Sequence, residues 1–167
     1  MPGCHGPAAT LWALAAMAVL LPGTAVSQDA DTKEVLAYVL TDAGLAKYTA
    51  ATRKLAALES ANPGACDEDS EASSIDEMVA HLNAVPAAKA AIQSSGLTTR
   101  EYVVFSWSLL QNGLAAWAVS SGGTLPDGAS RANVDFYRQH EAEIQQMAGL
   151  KSAGCDGDRA DVETDEG

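Results

Sequence analysis

The sequence has few basic residues: ten Lys and Arg stand against 22 Asp and Glu, which leaves a formal net charge of -12 at pH 7. A surface with this excess of negative charge repels the phosphates of nucleic acids and the headgroups of anionic membranes. We therefore expect neither nucleic acid nor an anionic membrane surface among the partners of this protein.

The sequence also lacks the short motifs that identify common active sites. It has no Gly-x-Ser-x-Gly nucleophile elbow, no Cys-x-x-Cys pair and no Cys-x-x-Cys-His haem attachment site. We therefore expect a protein without catalytic activity and without a cofactor. An enzyme whose site no motif reveals is kept as a third alternative.

The N-terminus has the pattern of a secretory signal peptide, although it lacks the usual Lys or Arg. An apolar run from Ala8 to Leu21 is followed by Pro22 and Gly23, and the small residues Ala25-Val26-Ser27 predict cleavage after Ser27 or nearby. The run is shorter than the roughly 20 residues of a transmembrane helix. We expect a periplasmic or secreted protein with no stable membrane span after cleavage; an uncleaved anchor is the alternative.

Cysteine is scarce, with three residues in the chain. Cleavage would remove Cys4 and leave Cys66 and Cys155 in an oxidising compartment, where we predict that they form a disulfide. In the chain-entropy model this bond contributes about 4 kcal/mol, because it closes a long loop. A redox pair or a shared metal site is the alternative, but neither cysteine has a histidine nearby in the sequence.

Helical periodicity is present through the rest of the chain, and no segment alternates as a strand. Thr41 or Asp42 is expected to begin one helix, and Ser74 and Thr98 open capping boxes that begin two more. Pro86 should divide the helix that begins at Ser74, with a short continuation to its C-terminal side. The last predicted helix lies within residues 130–150, and Gly149 is its predicted terminating residue.

These helices predict an all-α fold, an antiparallel bundle of about four helices linked by the disulfide. The expected domain organisation is a signal peptide at residues 1–27, a helical domain at 28–150 and an acidic C-terminal tail at 151–167. The tail has no aromatic residue and is expected to be disordered.

The helix that follows Thr98 has no charged residue between Tyr102 and Pro126. We predict that it forms the centre of the core, because its middle contains polar residues that a lipid-facing helix could not satisfy. A membrane anchor and a ligand-lined helix are the alternatives. The predicted apolar face comprises Tyr102, Phe105, Leu109, Leu110, Leu114 and Trp117. A candidate groove for a small ligand or peptide comprises Tyr102, Trp107, Trp117 and Tyr137.

Acidic residues are concentrated after each of the two cysteines that cleavage would leave. A disulfide would bring these acids together, and calcium prefers six to eight oxygen ligands. Calcium binding is therefore an alternative function, although a solvated acidic surface explains the same pattern. The candidate ligands are Asp67, Asp69, Asp156 and Asp158.

His81 and His140 are the two histidines that would remain after cleavage, and Glu143 lies on the same helix face as His140. A metal site in the bundle would need more ligands of this kind than the pattern supplies. The simpler interpretation is that both histidines are part of the structure.

Two segments, AIQSSGLTTREYVVFSWSLLQNGLAAW at 91–117 and NVDFYRQHEAEIQQM at 133–147, resemble a loose group of uncharacterised exported helical proteins of Gram-negative bacteria. The shared pattern is a Gly-Leu-Thr turn, then Arg-Glu-Tyr at the start of an apolar helix, then Asn-Val-x-Phe-Tyr. The resemblance implies an exported helical domain and no activity. We predict a binding or accessory module of the bacterial envelope, whose partner is an unknown protein or small ligand.

Overall fold

The computed structural model describes residues 24–61 and 72–155, and the side chains of residues 29–61 and 72–149. Every regular element in this part of the chain is an α-helix, so the predicted all-α class is confirmed. The helices are α1 Thr24–Ala37, α2 Asp42–Ala61, α3 Ile75–Ala84, α4 Pro86–Gln93, α5 Thr99–Ser120, α6 Arg131–Gln139 and α7 Glu141–Cys155.

The described residues thus form seven helices, where about four were expected. Pro86 begins α4 as predicted, after Val85 leaves the helical conformation with φ -104° and ψ 100°. His140 divides the last predicted helix into α6 and α7, and its N–H donates to the carbonyls of both Phe136 and Tyr137. Gly149 does not end α7, because it does not adopt the positive φ of a helix-ending glycine.

Two helix starts depend on the predicted capping boxes. At α5 the box is complete: the N–H of Glu101 donates to Thr98 Oγ1 at 3.1 Å, and the N–H of Thr98 donates to Glu101 Oε2 at 2.7 Å. At α3 only half of the box forms. Ser74 accepts from the N–H of Glu77 at 3.2 Å, but Glu77 Oε2 accepts from the N–H of Ser73 at 2.7 Å, one residue earlier than expected.

Helix α5 lies at the centre of the described fold and contacts α1, α2, α3, α4 and α6. Its Phe105 is fully buried, and Tyr48 of α2 stacks on both Phe105 and Tyr102, at ring-centroid distances of 5.0 and 4.9 Å. Gly44 allows α2 to pack closely against α5, since a Cβ at this position would lie 2.8 Å from the Phe105 ring. The core position of the first half of α5 is as predicted.

Asn133 of α6 connects the fold to the link between α1 and α2. Its Oδ1 accepts from the N–H of Leu40 at 3.1 Å, and its Nδ2 donates to the carbonyl of Tyr38 at 2.7 Å. Asn133 is itself buried. One side chain therefore satisfies two backbone groups that no helix can satisfy.

The predicted apolar face of α5 is wrong in its second half. Leu110, Leu114 and Trp117 were expected in the core but are exposed, while Ser108 and Asn112 are buried. Ser108 donates to the carbonyl of Val35 at 3.2 Å, so the buried polar group is satisfied. Among the described residues, no helix is both long enough and apolar enough to cross a bilayer.

The predicted disulfide lies outside the part of the chain whose side chains are described. Cys66 falls between the two described ranges, and Cys155 is the last residue of α7. Helix α7 also continues past residue 150, where the tail was expected to begin. The disulfide and the tail therefore remain predictions.

Candidate functional site

Three large apolar side chains lie together on the outer face of α5. Leu110, Leu114 and Trp117 are 64%, 60% and 70% exposed. Because they are four and three residues apart, they project from neighbouring turns on the same side of the helix. We name these three residues the α5 stripe.

The helix segment that carries the α5 stripe is itself uncharged, although Arg138 of α6 donates to the carbonyl of Ala116 and to Ser120 at its C-terminal end. The chain has no charged residue between Tyr102 and Pro126, although its net charge is -12. Exposed apolar patches with a polar rim are typical of protein contact surfaces, and tryptophan is enriched among the residues that contribute most binding energy. The stripe is therefore a candidate contact surface for another protein.

A cavity of about 220 Å³ lies between α1, the residues before α3 and the middle of α5, and it is partly open to solvent. Its lining consists of Asp31, Thr32, Val35, Ser73, Trp107 and Gln111. Asp31 is 8% exposed, and its Oδ2 accepts from the N–H of Ile75 at 3.0 Å. A carboxylate from α1 thus caps the first turn of α3 at the wall of the cavity.

The same three helices are held together by an ion cluster on the surface. Arg100 of α5 donates from Nε and Nη2 to the two carboxylate oxygens of Glu34, at 2.9 and 2.6 Å, and from Nη1 to Asp76 at 2.5 Å. The hydrogen bonds to Glu34, and then those to Asp76, raise the pKa of Arg100 above its ordinary value. The two-pronged contact with Glu34 fixes the orientation of Arg100 between α1 and α3.

The four aromatic residues of the predicted groove do not line one surface. Tyr102 is buried in the aromatic stack, Trp107 lines the cavity, and Trp117 belongs to the exposed stripe. Tyr137 is half-buried against Gly113, where a Cβ would lie 2.8 Å from the tyrosine ring, and burial raises the pKa of Tyr137. Tyr102 and Trp117 are about 22 Å apart along the axis of α5. Trp107 and Trp117 therefore belong to two different candidate sites.

Sequence reasoning missed Asp31 altogether. The residue lies in α1, and its partner Ile75 is 44 positions away in the sequence. A signal was nevertheless present, since Asp31 lies four residues before the buried Val35 and so shares its inward helix face.

The two histidines have different surroundings. His81 is exposed. His140 packs on Phe136 with a centroid distance of 4.4 Å, and its Nε2 and Nδ1 lie 3.0 Å from Asp42 and 3.8 Å from Glu143. Its Nε2 is buried and makes no hydrogen bond among the described residues, despite the 3.0 Å separation from Asp42. A protonated imidazole there would pair with both carboxylates and join α2 to α7.

The residues predicted to bind calcium, Asp67, Asp69, Asp156 and Asp158, lie outside the described residues. Within the described ranges, no group of three or more His, Cys, Asp or Glu side chains is arranged to hold a metal ion. Calcium binding through the acidic loop and tail stays a prediction.

A comparison of this chain with protein-family models, curated proteins and solved structures finds no match. The features of the chain that bear on its function are the α5 stripe, the cavity and the distribution of charge.

Proposed function

We propose that the protein is a non-enzymatic binding module of the bacterial envelope, and that it docks a partner protein on the α5 stripe. The observation that carries this proposal is the exposure of Leu110, Leu114 and Trp117 on one face of the central helix. The partner surface that fits is an apolar groove or an amphipathic helix, since such surfaces accept side chains spaced by three and four residues.

The energetics favour a contact at the α5 stripe over an incidental exposure. Burying a leucine or tryptophan side chain contributes roughly 1.5–3 kcal/mol, so three partly exposed side chains provide several kcal/mol on docking. The helix segment that carries the stripe has no charged residue of its own, so none of its side chains has to lose the water around an ionised group on docking. This amount of energy is typical of the central residues of a protein interface.

The location in the envelope is supported by the leader pattern at residues 1–27 and by the resemblance of two segments to exported helical proteins of Gram-negative bacteria. In this proposal a disulfide between Cys66 and Cys155 would connect the chain before α3 to the end of α7. The compact unit would then be a disulfide-linked bundle built on the longer helices, with the short helices as its connections.

The proposal is tested by site-specific photo-crosslinking in living cells, with a photoreactive amino acid at Leu114 or at Val39. Val39 is the matched control, because it is also large, apolar and exposed but lies outside the stripe. We expect a discrete cross-linked protein from position 114 and none from position 39.

The cross-linked partner would then be purified, and its affinity measured for the unmodified protein and for a variant in which all three stripe residues are serine. We expect a loss of at least about tenfold, which corresponds to ~1.4 kcal/mol. A product with twice the mass of this chain would identify the partner as a second copy. Equal cross-linking from both positions, or unchanged affinity of the serine variant, would contradict the proposal.

A further inference from the structure

The cavity beside α1 contains a buried carboxylate without a counter-ion. Asp31 is 92% buried, and none of the ion pairs among the described residues includes it. Its Oδ2 accepts one hydrogen bond, from the N–H of Ile75, and its Oδ1 accepts none from the residues that the structure describes. Buried acids are rare unless they are paired, so this carboxylate can accept a further partner.

The N-terminus of α3 supplies only part of the positive charge that Asp31 needs. A helix N-terminus provides partial charge through its unpaired N–H groups, and one of these already points at Oδ2. A carboxylate has about four acceptor positions, of which this bond uses one. The remaining acceptor capacity lies at the wall of the cavity.

The other walls of the cavity fit a cation with apolar substituents. Trp107 lines the cavity half-buried, and an indole ring attracts cations to its face. Gln111 lies one turn further along the same face of α5, and Thr32 follows Asp31 on α1, so both add oxygen acceptors. The net charge of -12 raises the local concentration of cations and disfavours anions.

The volume of the cavity limits the part of a ligand that it can enclose. A volume of about 220 Å³ corresponds to about seven water molecules at ~30 Å³ each, and therefore to a similar number of non-hydrogen atoms. A bare metal ion fits poorly, because hard cations need six to eight oxygen ligands and the lining provides one carboxylate.

We propose that this cavity binds a small organic cation, an alkylated ammonium compound of about seven non-hydrogen atoms, with Asp31 as its counter-ion and the Trp107 ring as its apolar contact. The site is separate from the α5 stripe and does not depend on a partner that docks there.

The experiment is a titration of the purified protein with choline, followed in two-dimensional amide NMR spectra. The indole N–H of Trp107 and the backbone N–H of Ile75 report on the two sides of the cavity. We expect saturable shifts of both signals. The uncharged carbon analogue of choline, dimethylbutanol, should bind at least about tenfold more weakly, because it has the same shape without the charge.

Two variants separate the charge from the fold. Asp31→Asn removes the charge but keeps an oxygen that can accept from Ile75, and we expect it to lose at least about tenfold in choline affinity. Asp135→Asn removes an exposed acid of α6 and should bind choline as the unmodified protein does. Trp107→Leu keeps an apolar wall without the indole and should also weaken binding, which tests the site even if Asp31→Asn does not fold.

Three results would overturn the inference. The first is equal affinity for choline and dimethylbutanol. The second is a binding curve that neither Asp31→Asn nor Trp107→Leu changes. The third is a set of small, non-saturating shifts spread over the acidic surface, which would mean that choline acts only as a general counter-ion.

Discussion

Replacing Asn133 with alanine should lower the free energy of unfolding by about 2.5 kcal/mol, because one side chain satisfies two backbone groups of the link between α1 and α2. The buried N–H of Leu40 would lose its acceptor, which costs roughly 1–3 kcal/mol. The half-buried carbonyl of Tyr38 would lose its donor, which costs about 0.5–1.5 kcal/mol more. Alanine recovers ~0.6 kcal/mol, because it is a better helix former than asparagine.

The assay is equilibrium unfolding in urea, followed by far-ultraviolet circular dichroism. The matched control is Gln146→Ala on the exposed face of α7, which should change the free energy by less than about 0.5 kcal/mol. A loss of less than about 0.5 kcal/mol in Asn133→Ala would refute the reasoning, since it would mean that water replaces both hydrogen bonds at little cost.

Further predictions concern the helix cap at Thr98, the ion cluster at Arg100 and the predicted disulfide. Thr98→Ala should cost about 1 kcal/mol. Hydrogen bonds from Thr98 hold the pKa of Glu101 below its ordinary value, so the unfolded chain binds more protons in acid. The stability that this shift contributes is present above the pKa of Glu101 in the unfolded chain and is lost as pH falls through its lower pKa in the folded protein. In urea unfolding, the stability of Glu101→Gln should therefore change less with pH below about pH 5 than that of the unmodified protein. Arg100→Met should cost less than about 1 kcal/mol in urea unfolding, and the difference should shrink at high salt. Reduction should lower the thermal midpoint, with a disulfide contribution of up to about 4 kcal/mol, and should leave a Cys66→Ser, Cys155→Ser double variant unchanged.

The starts of the helices were predictable from the sequence because they depend on local chemistry. Thr98 and Glu101 cap each other within one turn, and Pro86 excludes the helical conformation from the residue before it. The break at His140 was not predictable in this way. That residue is neither proline nor glycine, and its ring lies 3.0 Å from Asp42 of α2, a long-range contact that no local pattern indicates.

The orientation of α5 could be predicted only in part. Apolar residues surround this helix on nearly every side, so the period of the pattern does not select one inward face. The choice is made by tertiary contacts, such as the stack with Tyr48, which bury Phe105 and leave Trp117 outside. Sequence reasoning therefore found the residues of the stripe but assigned them to the core.

The cavity depended even more on long-range contacts. Trp107 was identified from its residue type alone, whereas Asp31 acquires its meaning from the N-terminus of α3. The position of Asp31 four residues before Val35 places both on one helix face, but nothing in the local sequence indicates the N–H group with which its carboxylate pairs. The helix with which it pairs is separated from it by α2 in the chain.

Helix α1 begins at Thr24, so the predicted cleavage site after Ser27 lies within its hydrogen-bonded backbone. A peptidase can cut there only while that turn is open, and export processing would therefore precede the completion of α1. The cut would also create an ammonium group at Gln28, about one turn from Asp31. This group would compete for the same carboxylate, so the processed and unprocessed forms of the chain should differ in their affinity for organic cations.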